Sequence, residues 1–341
     1  MLARGASTGG LLAFVLLALS AGPTCGEIHL GKLTAGLGLN VREVGDTRFV
    51  TENQFHRVVW ENNNRRIVMD GVSLFLNTAP QRRGGIWYVA DTDAYLLPAL
   101  LQPALFLAGH GFTTVVLDPG HGGEFGGATG PGGVPEKKLT LDVVRRVREK
   151  LRETGLMVYL TRDRDKTLAR DRNLDLLERC RRAAYVNADL FVSVHFNSSG
   201  DRSASGLETF VAPATGYPAT AQLQRQQRGG SRTNRFDAAS TILAQCIQKG
   251  ILHFADGEDR GVKRAHFMVL QFAPCPAALV ECGFLSNRRE GDRIMSETFR
   301  DALADGIAAG IRTYVSRARE GRLSAMPPPK PASTPVTPVK R

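Results

Sequence analysis

No two cysteines of this 341-residue chain stand in a CxxC spacing. Cys25, Cys180, Cys246, Cys275 and Cys282 therefore offer neither a zinc ribbon nor a thioredoxin-like redox site, and an odd number cannot form a complete set of internal disulfides. Cys275 and Cys282 could pair in an oxidising compartment, but buried free thiols are the expected state. Long apolar runs are missing too: the stretch Leu11 to Leu19 is too short to span a bilayer. Aromatics make up 7% of the chain and do not interleave with a basic stripe; neither a zinc finger nor an RNA-binding signature is present. The net charge of +11 thus points to an anionic partner other than nucleic acid, such as an acidic lipid surface or an acidic cell-wall polymer. No internal repeat is evident.

What is there is the composition of a globular protein, 43% hydrophobic and 23% charged, long enough for more than one unit. Arg4, the apolar run to Leu19 and the small residues Ser20, Ala21 and Gly22 have the order of a secretory signal over residues 1–25. Export to the periplasm or cell envelope is expected, with no transmembrane segment in the mature chain. Residues 27–105 carry short alternating runs, RVVWE, RRIVMDG, VSLFLN and GIWYVA, and then TDAYLLPALLQ at helical spacing, which predicts a small β-rich, stalk-like domain.

Over 111–320 the texture becomes apolar strands alternating with amphipathic helices, an α/β layer structure. The expected strands are TTVVLD, LMVYLT, DLFVSVH, GLETFVA and AALVECG. The expected helices run from Leu139 to Leu151, Asp171 to Tyr185, Ala238 to Phe254 and Phe299 to Tyr314. The stretch from Gln222 to Arg235 reads as a basic loop, and residues 321–341 as a disordered, Pro-rich basic tail.

Ionisable side chains gather at strand ends. His121 follows TTVVLDPG, His195 ends LFVSVH, Glu281 ends AALVE, and Glu136 stands in the loop before a helix. In open α/β sheets ligands bind beyond the carboxyl ends of strands, so these four can converge. Two imidazoles and one carboxylate make a three-ligand zinc site with a position left for water, whose pKa the metal lowers towards neutrality. A second carboxylate is then needed to carry the proton, and Glu281 suits that task. Gly120, Gly122 and Gly123 would leave room for a large substrate to approach His121. Taken singly, a histidine at a strand end is more often structural, and Glu136 serves equally as a helix N-terminal charge.

LDPGHGG, VPEKKLTLDV, TRDRD, ADLFVSVHFNSS, GLETF, RGVKRAHFMVL and PAALVECGFLSN follow one another over about 112–318 in an order that resembles the zinc-dependent N-acetylmuramoyl-L-alanine amidases of bacterial peptidoglycan. The resemblance implies an α/β fold with a central mixed sheet flanked by helices, here preceded by the small β-rich N-terminal domain. It implies a Zn2+ cofactor on His121, Glu136 and His195. It further implies hydrolysis of the amide between N-acetylmuramic acid and L-alanine, with a metal-bound water as nucleophile and Glu281 as general base. Peptidoglycan is the expected partner. Arg162, Asp163 and Arg179 match positions that look structural, whereas Arg264 and Asn197 are candidates for binding substrate. Some relatives carry a helix that blocks the site until a partner binds; no long insertion of that kind lies between GLETF and TNRFDAAS, and no activator protein is identified. A zinc peptidase of other specificity and a wall-binding protein remain as alternative readings.

Overall fold

The computed structural model of the chain describes residues 26–107, 112–220 and 236–325, with side chains to residue 320. The signal segment with Cys25, His110, the loop from Gln222 to Arg235 and the Pro-rich residues from 326 onward lie outside the described residues.

Strand β1 (Glu27–His29) runs into helix α1 (Leu30–Gly36). An antiparallel meander follows, made of β2 (Asn40–Val44), β3 (Arg48–Glu52), β4 (Arg57–Glu61), β5 (Arg66–Met69) and β6 (Val72–Phe75). Buried positions alternate with less buried ones along β4 and β5, and Phe49 on β3 stacks on the opposing Trp60 of β4 at a centroid distance of 5.4 Å. Asp70 and Gly71, at φ 50° and 85°, form the two-residue turn between β5 and β6, the conformation that an Asp-Gly pair favours in hairpins. The hairpin β7 (Gln81–Arg83) and β8 (Ile86–Ala90) joins β1 in a separate three-stranded sheet, and α2 (Asp91–Leu101) and α3 (Pro103–Leu107) close this part of the chain.

The remainder alternates as its apolar pattern predicts: β9 (Thr114–Pro119), α4 (Glu136–Lys150), β10 (Met157–Leu160), α5 (Arg172–Tyr185), β11 (Leu190–Asn197) and β12 (Leu207–Val211). Then come α6 (Asp237–Phe254), β13 (Asp259–Arg264), α7 (Met268–Gln271), β14 (Ala277–Phe284), α8 (Arg288–Met295) and α9 (Glu297–Ala325). The last helix passes residue 320, where the tail was expected to begin. Helices α4 and α9 bury residues three or four apart, Leu139, Val143 and Val147 on one and Leu303, Ile307, Ile311 and Tyr314 on the other. Among the described residues no helix is long and apolar enough to cross a membrane.

The large sheet is mixed, in the order β10-β9-β11-β14-β12-β13-β6-β5-β4-β3-β2. Strands β9, β11 and β14 are parallel and buried on both faces, which is why they read as near-continuous apolar runs. Val115, Leu117, Val192 and Val280 join the larger core with α4, α6 and α9; Val116, Phe191 and Leu279 join a smaller one under α5 and α7. The β-rich unit expected over 27–105 continues the large sheet. Strand β6 pairs with β13, Leu74 opposite Val262, and Ser73 N donates to Asp259 Oδ2 at 2.8 Å. One hydrophobic core runs from Phe49, Trp60 and Leu74 through to Val115, Ile247 and Ile307.

Candidate metal centre

His121, Glu136 and His195 come together from three elements. His121 sits in the loop after β9 with φ 62°, a left-handed conformation that few residues without glycine's freedom adopt. The loop is held from beneath by two buried arginines. Arg162 donates to Pro119 O at 3.0 Å and to Gly120 O and Lys137 O at 2.8 Å. Arg179 donates to His121 O at 2.8 Å and to Pro119 O at 2.9 Å, and pairs with Asp118 at 2.8 Å and Asp175 at 2.7 Å. Both arginines thus support the loop that carries His121.

Glu136 is the first residue of α4, and its carboxylate is almost fully buried. Oε1 lies 2.9 Å from His195 Nδ1 and accepts from Phe196 N at 3.0 Å; Oε2 lies 3.1 Å from His121 Nε2 and accepts from Ala128 N at 2.9 Å. Burial pushes this carboxyl's pKa up, but the hydrogen bonds and charge of the two imidazoles outweigh it and hold the group far below the usual carboxylate range. One donor atom from each of the three residues lies within 4.8 Å of the others. Two imidazole nitrogens and one carboxylate oxygen, the carboxylate held by two backbone N–H groups, are the donor set a hydrolytic zinc site uses, so the residues fit the ion.

Gly120 and Gly127 serve this convergence. A Cβ on Gly120 would run into the His195 imidazole, and one on Gly127, at φ 75°, would run into both Glu136 and His121. Gly122 and Gly123 lie against the backbone of Lys166 and Thr167. Bare backbone is what lets the ligands close on one point.

Glu281 stands beside the triad, opposite His195 in the parallel β11–β14 register. Its Oε2 is buried and has no hydrogen-bond partner. Burial, reinforced by the charges of Glu136 and Glu208, raises its pKa well above the ordinary value. A cleft of about 250 Å³ leads to this point, lined by His121, His195 and Glu281 together with Phe125, Arg172 and Phe267.

Neither of the two expected substrate contacts, Arg264 and Asn197, is among the residues lining this cleft. The Arg264 side chain is 2% exposed and is bound to Asp237 Oδ1 at 2.6 Å and Ala212 O at 3.2 Å, so it faces protein rather than the cleft. Asn197 donates to Glu208 Oε1 at 2.6 Å and accepts from Ser198 N at 2.8 Å, which commits its amide to neighbours. Glu208 itself escaped the sequence reading. Its buried carboxylate, also paired with Arg260 at 2.9 Å and with Lys263, lies opposite Glu281 across the β12–β14 pairing. The signal was a lone acid within the apolar strand GLETF, since a buried charge needs partners to be tolerated. Cys180, Cys246, Cys275 and Cys282 are buried free thiols; burial pushes Cys180 up to about 12.

Residues 115–313 match the family model described as N-acetylmuramoyl-L-alanine amidase. Over 201 residues the chain is 36% identical to the uncharacterized protein YqiI of Bacillus subtilis, covering 59% of this chain and 84% of that one. It is 32% identical over 201 residues to the N-acetylmuramoyl-L-alanine amidase LytC of Bacillus subtilis, covering 59% of this chain but only 35% of LytC. The catalytic domain of CwlV, an N-acetylmuramoyl-L-alanine amidase from Bacillus (Paenibacillus) polymyxa var. colistinus, is similar with a TM-score of 0.50 and 30% identity, over 60% of this chain and 98% of that domain. The matched family segment holds all three donors and Glu281; the β-rich N-terminal part lies outside it.

Proposed function

Because the chain belongs to the N-acetylmuramoyl-L-alanine amidase family, we propose that it hydrolyses the amide between the lactyl group of N-acetylmuramic acid and the L-alanine of the stem peptide. The observation that carries this reading is the meeting of His121, Glu136 and His195 next to the unpartnered Oε2 of Glu281, at the bottom of one cleft.

His121, Glu136 and His195 would hold a zinc ion. Bound there, zinc supplies Lewis acidity, polarising the amide carbonyl and making water acidic enough to attack at neutral pH. Glu281 does the proton work. Its buried oxygen has no donor to satisfy it and lines the same cleft as His121 and His195, which suits it to take a proton from the attacking water and pass it to the departing amine of L-alanine. Glu136 has the opposite electrostatics: two imidazoles and two backbone N–H groups keep it ionised, as a ligand must be. Two carboxylates thus divide into a permanent anion and a proton carrier through their surroundings. The net charge of +11 favours association with an anionic envelope, the proposed place of action after export.

The test is digestion of purified peptidoglycan with and without a chelator, followed by mass analysis of the products. Release of intact stem peptides bearing a free L-alanine amine, abolished by the chelator, is the expected result. Release of single terminal amino acids would replace this reading with a peptidase, and wall binding without release would leave only a binding protein.

A further inference from the structure

The same cleft carries a cation that the chemistry above does not use. Arg172 opens α5 and lines the cleft alongside His121, His195 and Glu281, with an exposed side chain. The other arginine of the lining, Arg179, is fully committed to Asp118, Asp175 and the His121 loop. Arg172 has no such partners: none of the described residues hydrogen-bonds or ion-pairs with its guanidinium. The acids nearest in sequence are occupied elsewhere. Asp171 caps α5 by accepting from Leu174 N at 2.9 Å, and Asp175 accepts from Leu168 N at 2.6 Å besides holding Arg179. Phe267, 38% exposed, and Met268 line the same cleft and supply apolar contact.

A guanidinium presents paired donors matched to a carboxylate. Arg172 shares one cleft lining with His121, His195 and Glu281, so the carboxylate in its reach belongs near the scissile amide rather than at the far end of the peptide. We propose that Arg172 binds the carboxylate of the stem residue that follows L-alanine, and that the enzyme prefers stems in which this group is a free acid over stems in which it is a carboxamide. The inference rests on the amidase reading and names the substrate class of that same site.

Two N-acetylmuramoyl-L-alanyl peptides, identical except for a carboxylate or carboxamide on the second residue, test it. Their dissociation constants are measured by calorimetry on zinc-loaded protein carrying Glu281→Gln, with Arg172 intact or changed to Gln or Lys. The acid should bind at least about tenfold more tightly than the amide, the worth of one charge-assisted contact. Arg172→Gln should erase the difference, and Arg172→Lys should restore part of it, while zinc content and melting temperature stay unchanged. Equal binding of the two peptides, binding of neither, or a preference that survives Arg172→Gln overturns the proposal. Turnover by protein with Glu281 intact is read separately. Discrimination in binding without release of either peptide would overturn the proposed hydrolysis and leave the carboxylate subsite standing.

Discussion

His195 on β11 and Glu281 on β14 occupy the same rung of two neighbouring parallel strands, so the proposed metal donor and the proposed proton carrier are fixed to each other by a backbone ladder. A constellation mounted on strands in this way holds its geometry more tightly than one built on loops. His121, the donor that does come from a loop, has that loop fastened by Arg162 and Arg179 instead.

Removing the proton carrier should leave the metal site standing. Glu281→Gln is expected to lower kcat by about 100- to 10,000-fold, the usual worth of general acid–base catalysis. Metal analysis should still find zinc at the level of the unsubstituted protein. Loss of zinc along with activity would make Glu281 part of the metal site instead.

The glycine under His195 should matter for metal rather than for folding. Gly120→Ala places a methyl group against the imidazole, which must turn away. Zinc affinity, followed by competition with a chromophoric chelator, should weaken by about 10- to 100-fold, as when the support of a ligand is lost. Direct loss of a donor, in His121→Ala, Glu136→Ala or His195→Ala, should be more severe than that.

Asp118 is fully buried between Arg179, Ser193 and Thr161. Burial raises its pKa, but Arg179 and the two hydroxyls outweigh burial, and the net shift is downward. A carboxylate depressed by folding adds stability that is present above the unfolded-state value, about 3.9, and is lost as pH falls through the lower folded value. Asp118→Asn should therefore cost about 3 kcal/mol at neutral pH. With chelator present to remove metal effects, the gap in melting temperature between variant and parent should narrow below about pH 4. A gap that is constant with pH would show that Asp118 is not ionised in the fold.

The shared core should make the N-terminal unit and the unit that carries His121, Glu136 and His195 a single cooperative system. Phe49, packed between Trp60 and Trp87, is completely buried in the core that also holds Val115 and Ile247. Phe49→Ala should cost about 3–5 kcal/mol. Differential calorimetry should show one transition moved to lower temperature, with calorimetric and van't Hoff enthalpies in agreement. Two separable transitions, only one of them sensitive to the substitution, would mean that the β6–β13 junction does not couple the units.

The readable parts of the fold were those with local causes. Runs such as LFVSVH and AALVECG are strands because a strand covered on both faces must be apolar almost throughout, and Val143 and Val147 mark a helix because four residues bring side chains to one face. The basic, non-alternating stretch DRGVKR hid β13 from any reading of periodicity, since its place is set by β12 on one side and β6 on the other. Arg264 shows the same limit within the site. A guanidinium one strand away from the chemistry looks available in sequence, yet Asp237, brought in by α6, occupies it. Arg172 is the reverse case, a helix-opening arginine that nothing in the sequence separates from a solvated one until the cleft is seen.

By sequence alone, the chain specified its alternation of strands and helices and the candidate residues His121, His195 and Glu281 at or just after strand ends, with Glu136 just before a helix. Hydrophobic periodicity and residue chemistry are local properties and survive being read in a line. Tertiary structure decided that β14 lies between β11 and β12, which puts Glu281 beside His195 and opposite Glu208. It also decided that β6 extends the same sheet, and which arginines are spent on the protein and which are left to a ligand. Strand order and charge pairing arise from contacts between residues far apart in the chain, and their energies depend on burial and distance, which a linear pattern does not contain.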